Sequence, residues 1–250
     1  MMKDKRRVLG IVLLLLSLLC VGYLICYQMK KDRNNDIYEE MQKEVVGERE
    51  EEKEEYVSPV DFDALQKMNP DIYAWISIPG TEVNYPILQS STDDSYYLNH
   101  TVEGQEGYPG SIYTESCNGK DFTDYNTVIY GHNMKDGSMF RKLEDYKDKA
   151  FWEKNPYFYI YTPDGRELTY HIYSVATVED TSDTYLTTFA STEEYQKFLD
   201  MTKADADYDT GVEVGVNDTI VTLSTCTRES DNHRIVVRGV KEKDVVLKEN

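Results

Sequence analysis

Between Val8 and Tyr27 the chain runs VLGIVLLLLSLLCVGYLICY, twenty residues without one charged side chain. At about 1.5 Å of rise per residue, a helix of that length spans roughly 30 Å, the thickness of a bilayer's hydrocarbon core. Lys3, Lys5, Arg6 and Arg7 precede the run, and Lys30, Lys31 and Arg33 follow it. A cleavable signal peptide has a shorter apolar core and a small-residue cleavage site, and Cys-Tyr-Gln-Met-Lys is a poor candidate for one. The run therefore reads as a retained single-span membrane anchor over residues 8–27. A short basic N-terminus stays in the cytoplasm, so residues 1–7 form a cytoplasmic tail and the chain from about residue 30 onward is expected outside the cell.

The exterior part begins with an acidic tract. The formal charge of the chain is -19, and much of it is concentrated in EEMQKEVVGEREEEKEE, from Glu39 to Glu55. That balance argues against a nucleic-acid partner, which needs clustered Lys and Arg. Ile37, Met41 and Val45 recur at a spacing of four, so the spacer, residues 28–57, is expected to be partly helical. Fully helical, it would reach roughly 40 Å from the membrane. As a solvated spacer it should be replaceable by an uncharged linker of equal reach.

From residue 58 to 250 the texture changes to short apolar runs divided by turn residues: AWISIPG, VNYPILQ, GSIYTES, NTVIYGHN, PYFYIYT, RELTYHIYSVATVE, NDTIVTLSTC and HRIVVRGVKE. DFDALQKMNPD predicts a short helix stopping before Pro70. TPDGR predicts a hairpin turn. FRKLEDYKDKAFWEKN reads as helical, and so does STEEYQKFLDMTKA, opened by a Ser191/Thr192 cap. About eight strands with two or three helices predict one mainly β domain, a β-barrel decorated by helices.

Four cysteines fit this address. Cys20 and Cys26 lie in the apolar run as filler, which leaves Cys117 and Cys226 outside. These two either pair as one disulfide or include a thiol kept free because it reacts. A cysteine nucleophile needs a partner that sustains the thiolate and a donor for the oxyanion. His132 follows the run TVIY and a glycine, so a strand end would deliver its imidazole to the rim of a sheet. His171 sits in mid-strand, and His100 ends a short helical stretch. No cluster of ligands suggests a metal, and the Asp93–Asp94 pair reads as a solvated face.

The segments TLSTC at 222–226, RIVVRG at 234–239 and YGHNM at 130–134, in this chain behind an N-terminal anchor, resemble the sortase family. The resemblance is best to class B, membrane-anchored cysteine transpeptidases of Gram-positive bacteria. It extends from NPDIYAWISIPGTEVNYPILQ to the C-terminal strands and includes the helix-bearing insert FASTEEYQKFLDM. The family implies an eight-stranded barrel with an N-terminal helix and a helix before the penultimate strand. It also implies Cys226 as the nucleophile that forms a thioester after the Thr of a C-terminal sorting signal, and His132 as the acid and base. Arg234 would bind substrate and stabilise the oxyanion. Its fixed charge and paired donors suit that role. Arg238, on the same strand face, and Arg228, in the loop, compete for it. Ser224 and Thr225 flank the nucleophile and are candidate substrate-binding residues. The implied partners are secreted proteins bearing the signal and the amine of a peptidoglycan precursor, with no cofactor and no metal. A lid of the Asp-Pro-aromatic kind is not expected, since the chain offers Asn69-Pro70-Asp71 instead. Two other readings stay open: a hydrolase in which water resolves the thioester, and a non-enzymatic exterior module with Cys226 paired to Cys117.

Overall fold

A computed structural model describes residues 2–45, 58–227, 230 and 232–247. The acidic stretch from 46 to 57 and Arg228 lie outside the described residues. Helix α1 (Met2–Val45) runs unbroken from the N-terminal tail through the apolar segment and into the spacer. Its window Leu13–Lys30 is long and apolar enough to cross a membrane, and none of it is buried.

The eight apolar runs become the eight strands of a closed barrel, in the spatial order β1-β2-β3-β4-β7-β8-β6-β5. They are β1 (Ile72–Ser77), β2 (Asn84–Leu88), β3 (Ile112–Tyr113), β4 (Asn126–Tyr130), β5 (Tyr157–Tyr161), β6 (Arg166–Glu179), β7 (Ile220–Cys226) and β8 (His233–Val246). Val, Ile and aromatic side chains from these strands build the core on both faces of the sheet, with Trp75, Ile76, Ile129, Phe158, Tyr170, Leu223 and Val237 all buried. Where an interior aromatic carries a polar atom, a partner can be close at hand: Trp75 Nε1 donates to Asn84 Oδ1 at 2.7 Å.

Turn chemistry fixes the connections. The β5–β6 hairpin closes over Thr162–Arg166, with Gly165 at φ 79°, a conformation open to glycine at little strain. Asp61 caps α2 (Phe62–Met68) by accepting from Ala64 N, and the helix ends at Asn69, before Pro70. Ser191 caps α4 (Thr192–Ala204) by accepting from Glu194 N, and Glu194 reaches back to Ala190 N at 2.9 Å. The stretch after residue 140 is not one helix. A 3-10 helix, Phe140–Lys147, gives way at Asp148, whose extended backbone and carboxylate cap a new helix, α3 (Lys149–Lys154).

Two pairings place the site. β4 and β7 run parallel, with Tyr130 opposite Ser224, so their C-terminal ends emerge at the same rim of the barrel. β7 and β8 are antiparallel, with Cys226 opposite Arg234.

Candidate active site

Cys226 is the last residue of β7 and is exposed, while its neighbours Ser224 and Thr225 are buried. A strand end holds the backbone through the barrel's hydrogen bonds and leaves the thiol in solvent. Cys117 lies in the loop after β3 and is also a free thiol, so the two are not bridged. Burial, then the nearby Glu115, push the Cys117 thiol above its ordinary range, which keeps it in the unreactive protonated form.

His132 stands two residues beyond β4. Gly131 between them packs so closely that an added Cβ would meet the Phe140 ring at 2.7 Å. The imidazole Nε2 lies 2.7 Å from Leu98 O. Because a carbonyl only accepts, this contact places a proton on Nε2. The ring of Tyr108 rests against His132, 5.1 Å between centroids. Asn133 joins the two strand ends: its Nδ2 donates to Cys226 O at 2.8 Å and to Glu144 Oε1 at 2.8 Å.

Arg234, the second residue of β8, stands opposite Cys226. Its Nη1 donates to His233 O at 3.0 Å, and its Nη2 lies 3.4 Å from Asp180 Oδ2. His132, Cys226 and Arg234 line one cleft of about 540 Å³, together with Leu98, Tyr113, Glu115, Tyr130, Asp180, Ser182, Tyr185, Ser224 and Thr225. The Ser224 hydroxyl meets Tyr185 OH at 3.0 Å. The Thr225 hydroxyl, one residue on, is buried and has no partner among the described residues. Burial, then the negative Asp94, raise the Glu115 carboxyl above its usual range.

The other candidates fall elsewhere. Arg238 lies on the same strand face as Arg234, but it is covered and fully buried. It donates to Ser174 Oγ at 2.9 Å, Thr202 O at 3.2 Å and Thr184 Oγ1 at 2.7 Å. Thr184 belongs to the 3-10 turn Asp183–Tyr185, so Arg238 supports the cleft wall from behind. Asn126 assists, donating to Thr184 O and Leu186 O at 3.1 and 2.9 Å. His171 stacks on Tyr157 in mid-strand, and His100 on Tyr96. His233 turns into its own loop, Nδ1 at 3.0 Å from Ser230 Oγ. Asp93 and Asp94 accept from backbone amides of Ser95 and Ser116. Among the described residues no group of three His, Cys, Asp or Glu is placed to hold a metal. Asn133, Asp180 and Tyr185 were not singled out from the sequence. Asn133 stood in the Gly-His-Asn stretch, but Asp180 and Tyr185 carry no local signal beyond following the longest strand run.

A model of the sortase domain matches residues 76–242. The chain belongs to the sortase family. This sortase is 41% identical over 179 residues to sortase B of Listeria monocytogenes, covering 70% of this chain and 71% of that protein. A Staphylococcus aureus sortase B–substrate complex superposes with a TM-score of 0.73 at 31% identity, over 88% of this chain and all of that one. A sortase B complexed with triglycine gives a TM-score of 0.66 at 37% identity, over 73% of this chain and 86% of that one. The protein is accordingly a cysteine transpeptidase of the sortase B kind, built on the eight-stranded mixed barrel described above.

Proposed function

We propose that Cys226, His132 and Arg234 carry the reaction, and that it joins a secreted protein to a cell-wall amine. The observation behind this reading is the convergence of the three side chains on one cleft, through the β4–β7 and β7–β8 pairings. The Cys226 thiolate attacks the carbonyl carbon of the Thr in a Pro-x-Thr type sorting signal. Arg234 donates to the oxygen as it takes up negative charge, and Asp180 keeps the guanidinium aimed. The C–N bond then breaks, and the departing amine takes a proton from the His132 imidazolium. That leaves a thioester at Cys226 and a neutral imidazole. An incoming amine loses its proton to His132, adds to the thioester carbonyl and displaces the thiolate, which is then free for another cycle. Removing an oxyanion donor of this kind costs about 2.7–4 kcal/mol of transition-state stabilisation.

Ser224 and Thr225 are assigned to the substrate side of the cleft, with Tyr185 supporting Ser224 at 3.0 Å. Residues 1–7 are assigned to the cytoplasm, 8–27 to the bilayer and 58–250 to the exterior catalytic domain. Complexes of relatives with a substrate and with triglycine favour a peptide donor and an amine acceptor here. The acceptor is assigned as a peptidoglycan-precursor amine.

The test uses the full chain in detergent micelles with Pro-x-Thr-Gly and Asn-Pro-x-Thr-Asn peptides and triglycine, with products read by mass spectrometry. A ligated product that vanishes in Cys226→Ala is expected. Cleavage without ligation by any amine tried would replace transfer with hydrolysis. Ligation that survives Cys226→Ala would remove the assigned nucleophile.

A further inference from the structure

Helix α1 touches the catalytic domain after leaving the membrane. Glu39, Glu40 and Lys43 face solvent, but Tyr38 and Met41 are only 5% and 3% exposed and belong to the barrel's core cluster. Gln42 Nε2 donates to Asn84 O at 2.7 Å, tying the same turns to β2. An acidic tract that would otherwise be solvated thus buries one face of a helix at the rim of the barrel.

Two routes lead from Tyr38 to the loops that hold His132. Its hydroxyl donates to Gly110 O at 2.8 Å and lies 3.2 Å from Ser111 Oγ. Ser111 Oγ donates to His100 O at 2.9 Å, and Ser111 N donates to Tyr97 O at 2.9 Å. The segment 97–111 closed by these bonds supplies both neighbours of the imidazole, Leu98 O and the Tyr108 ring. Along the second route the Tyr38 ring meets Tyr85 edge-on, 5.5 Å between centroids. Tyr85 OH accepts from Met139 N at 3.2 Å, Met139 pairs with Asn133, and Phe140 N donates to His132 O at 2.9 Å. The helix therefore braces the loop that carries His132 and the loop that receives it. Burial pushes the Tyr38 hydroxyl up to about 12, so it remains a neutral donor throughout the neutral range.

We infer that Tyr38 is a positioning residue for His132, and that the last turns of the membrane helix are part of the catalytic domain's working structure and not a replaceable spacer. This rests on the assignment of His132 as the acid and base. A misplacement of about 1 Å at a reacting group can lower turnover roughly 100-fold, so a partly loosened loop is expected to lower it several-fold.

The test compares wild type with Tyr38→Phe and Tyr38→Ala in the full chain in micelles. Tyr38→Phe keeps the ring against Tyr85 and removes only the hydroxyl, so it leaves the fold intact. Expected are a fall in kcat of roughly three- to ten-fold with KM for the peptide unchanged, and a changed pH profile of kcat. The Cε1–H resonance of His132, assigned with His132→Gln, is expected to move in both variants. Ser111→Ala, which cuts the same route further on, should move it in the same direction. The resonance is read without turnover, so it tests the brace even if the transfer reaction proves wrongly assigned. An unmoved His132 resonance in Tyr38→Phe and Ser111→Ala would overturn the inference. So would a lower melting temperature in Tyr38→Ala with kcat and its pH profile intact, which would leave the helix a purely structural support.

Discussion

Behind the cleft wall, Arg238 and Thr184 offer a sharp quantitative test, because two physical effects give opposite signs for one substitution. Thr184→Val keeps the volume of a fully buried side chain and replaces its hydroxyl with a methyl. By transfer free energy alone, an apolar group in a buried site should stabilise the fold. The hydroxyl, however, accepts from Arg238 Nη2 at 2.7 Å, and the guanidinium has few other outlets. It keeps Ser174 Oγ and Thr202 O, while Nε already has no partner among the described residues. A buried donor left unmet costs about 1–3 kcal/mol, more when it is charged, so about 2 kcal/mol is expected here. For a chain of this size 1 kcal/mol moves Tm by about 2–4 °C, which predicts a fall of about 4–8 °C. The assay is thermal unfolding of the full chain in micelles, followed by tryptophan fluorescence and near-UV circular dichroism. The 3-10 turn carrying Tyr185 loses one of its supports, so KM for the peptide should rise as well. Thr184→Ser, which keeps the acceptor and sheds a methyl, should lose less than Thr184→Val. A Thr184→Val protein as stable as wild type, or more so, would show that the hydrogen bond contributes nothing net and that Arg238 does not hold the wall through Thr184.

Gly131→Ala would drive a Cβ into the Ile112 and Phe140 side chains next to His132. Overpacking of this kind costs about 1–3 kcal/mol, and turnover should fall further than stability alone accounts for, measured by melting and peptide ligation in parallel. For Glu115 the carboxyl is raised above its ordinary 4.5 by burial first and Asp94 second. A carboxyl raised in the folded state favours folding in its protonated form, and that contribution is lost as pH rises from the unfolded value through the folded one. Glu115→Gln should therefore melt higher than wild type at pH 7 and not at pH 4.

The strands were legible because this chain marks them twice, by β-branched and aromatic runs and by the turn residues between them. RELTYHIYSVATVE is β6 residue for residue, bounded on one side by TPDGR and on the other by an acidic turn. The cap at Ser191 was equally plain, since a short side-chain oxygen before an apolar run has one local use, whereas the matching cap at Asp61 emerges only from the structure. The break at Asp148 was not. Asp is tolerated inside a helix, and only the backbone there reveals that it starts a new one. Period two put Arg234 and Arg238 on one face, but nothing local says that the loop after β6 and α4 cover the second and not the first. Tyr38 shows the same limit in the opposite direction. The spacing of Ile37 and Met41 announced an apolar stripe, while the surrounding glutamates announced solvent, and only the barrel's position decides between them. Asp180 and Asn133 escaped notice because both residue types are ordinary in turns. Asp180's place in the cleft and Asn133's bond to Cys226 O depend on pairings between strands more than forty residues apart.

The parallel pairing of β4 with β7 explains why so much chain lies between His132 and Cys226. Parallel neighbours cannot be joined by a tight turn, because the chain must return to the first end before running alongside. Here the return consists of β5, β6 and α4, and it brings two strand ends out at one rim with no loop needed to carry the thiol there. The same rim receives α1. From the end of the apolar window at Lys30, eight residues of helix reach Tyr38, about 12 Å at 1.5 Å per residue. A free spacer would have reached roughly 40 Å. The helix meets the barrel within a third of that distance, at the loops that frame the cleft.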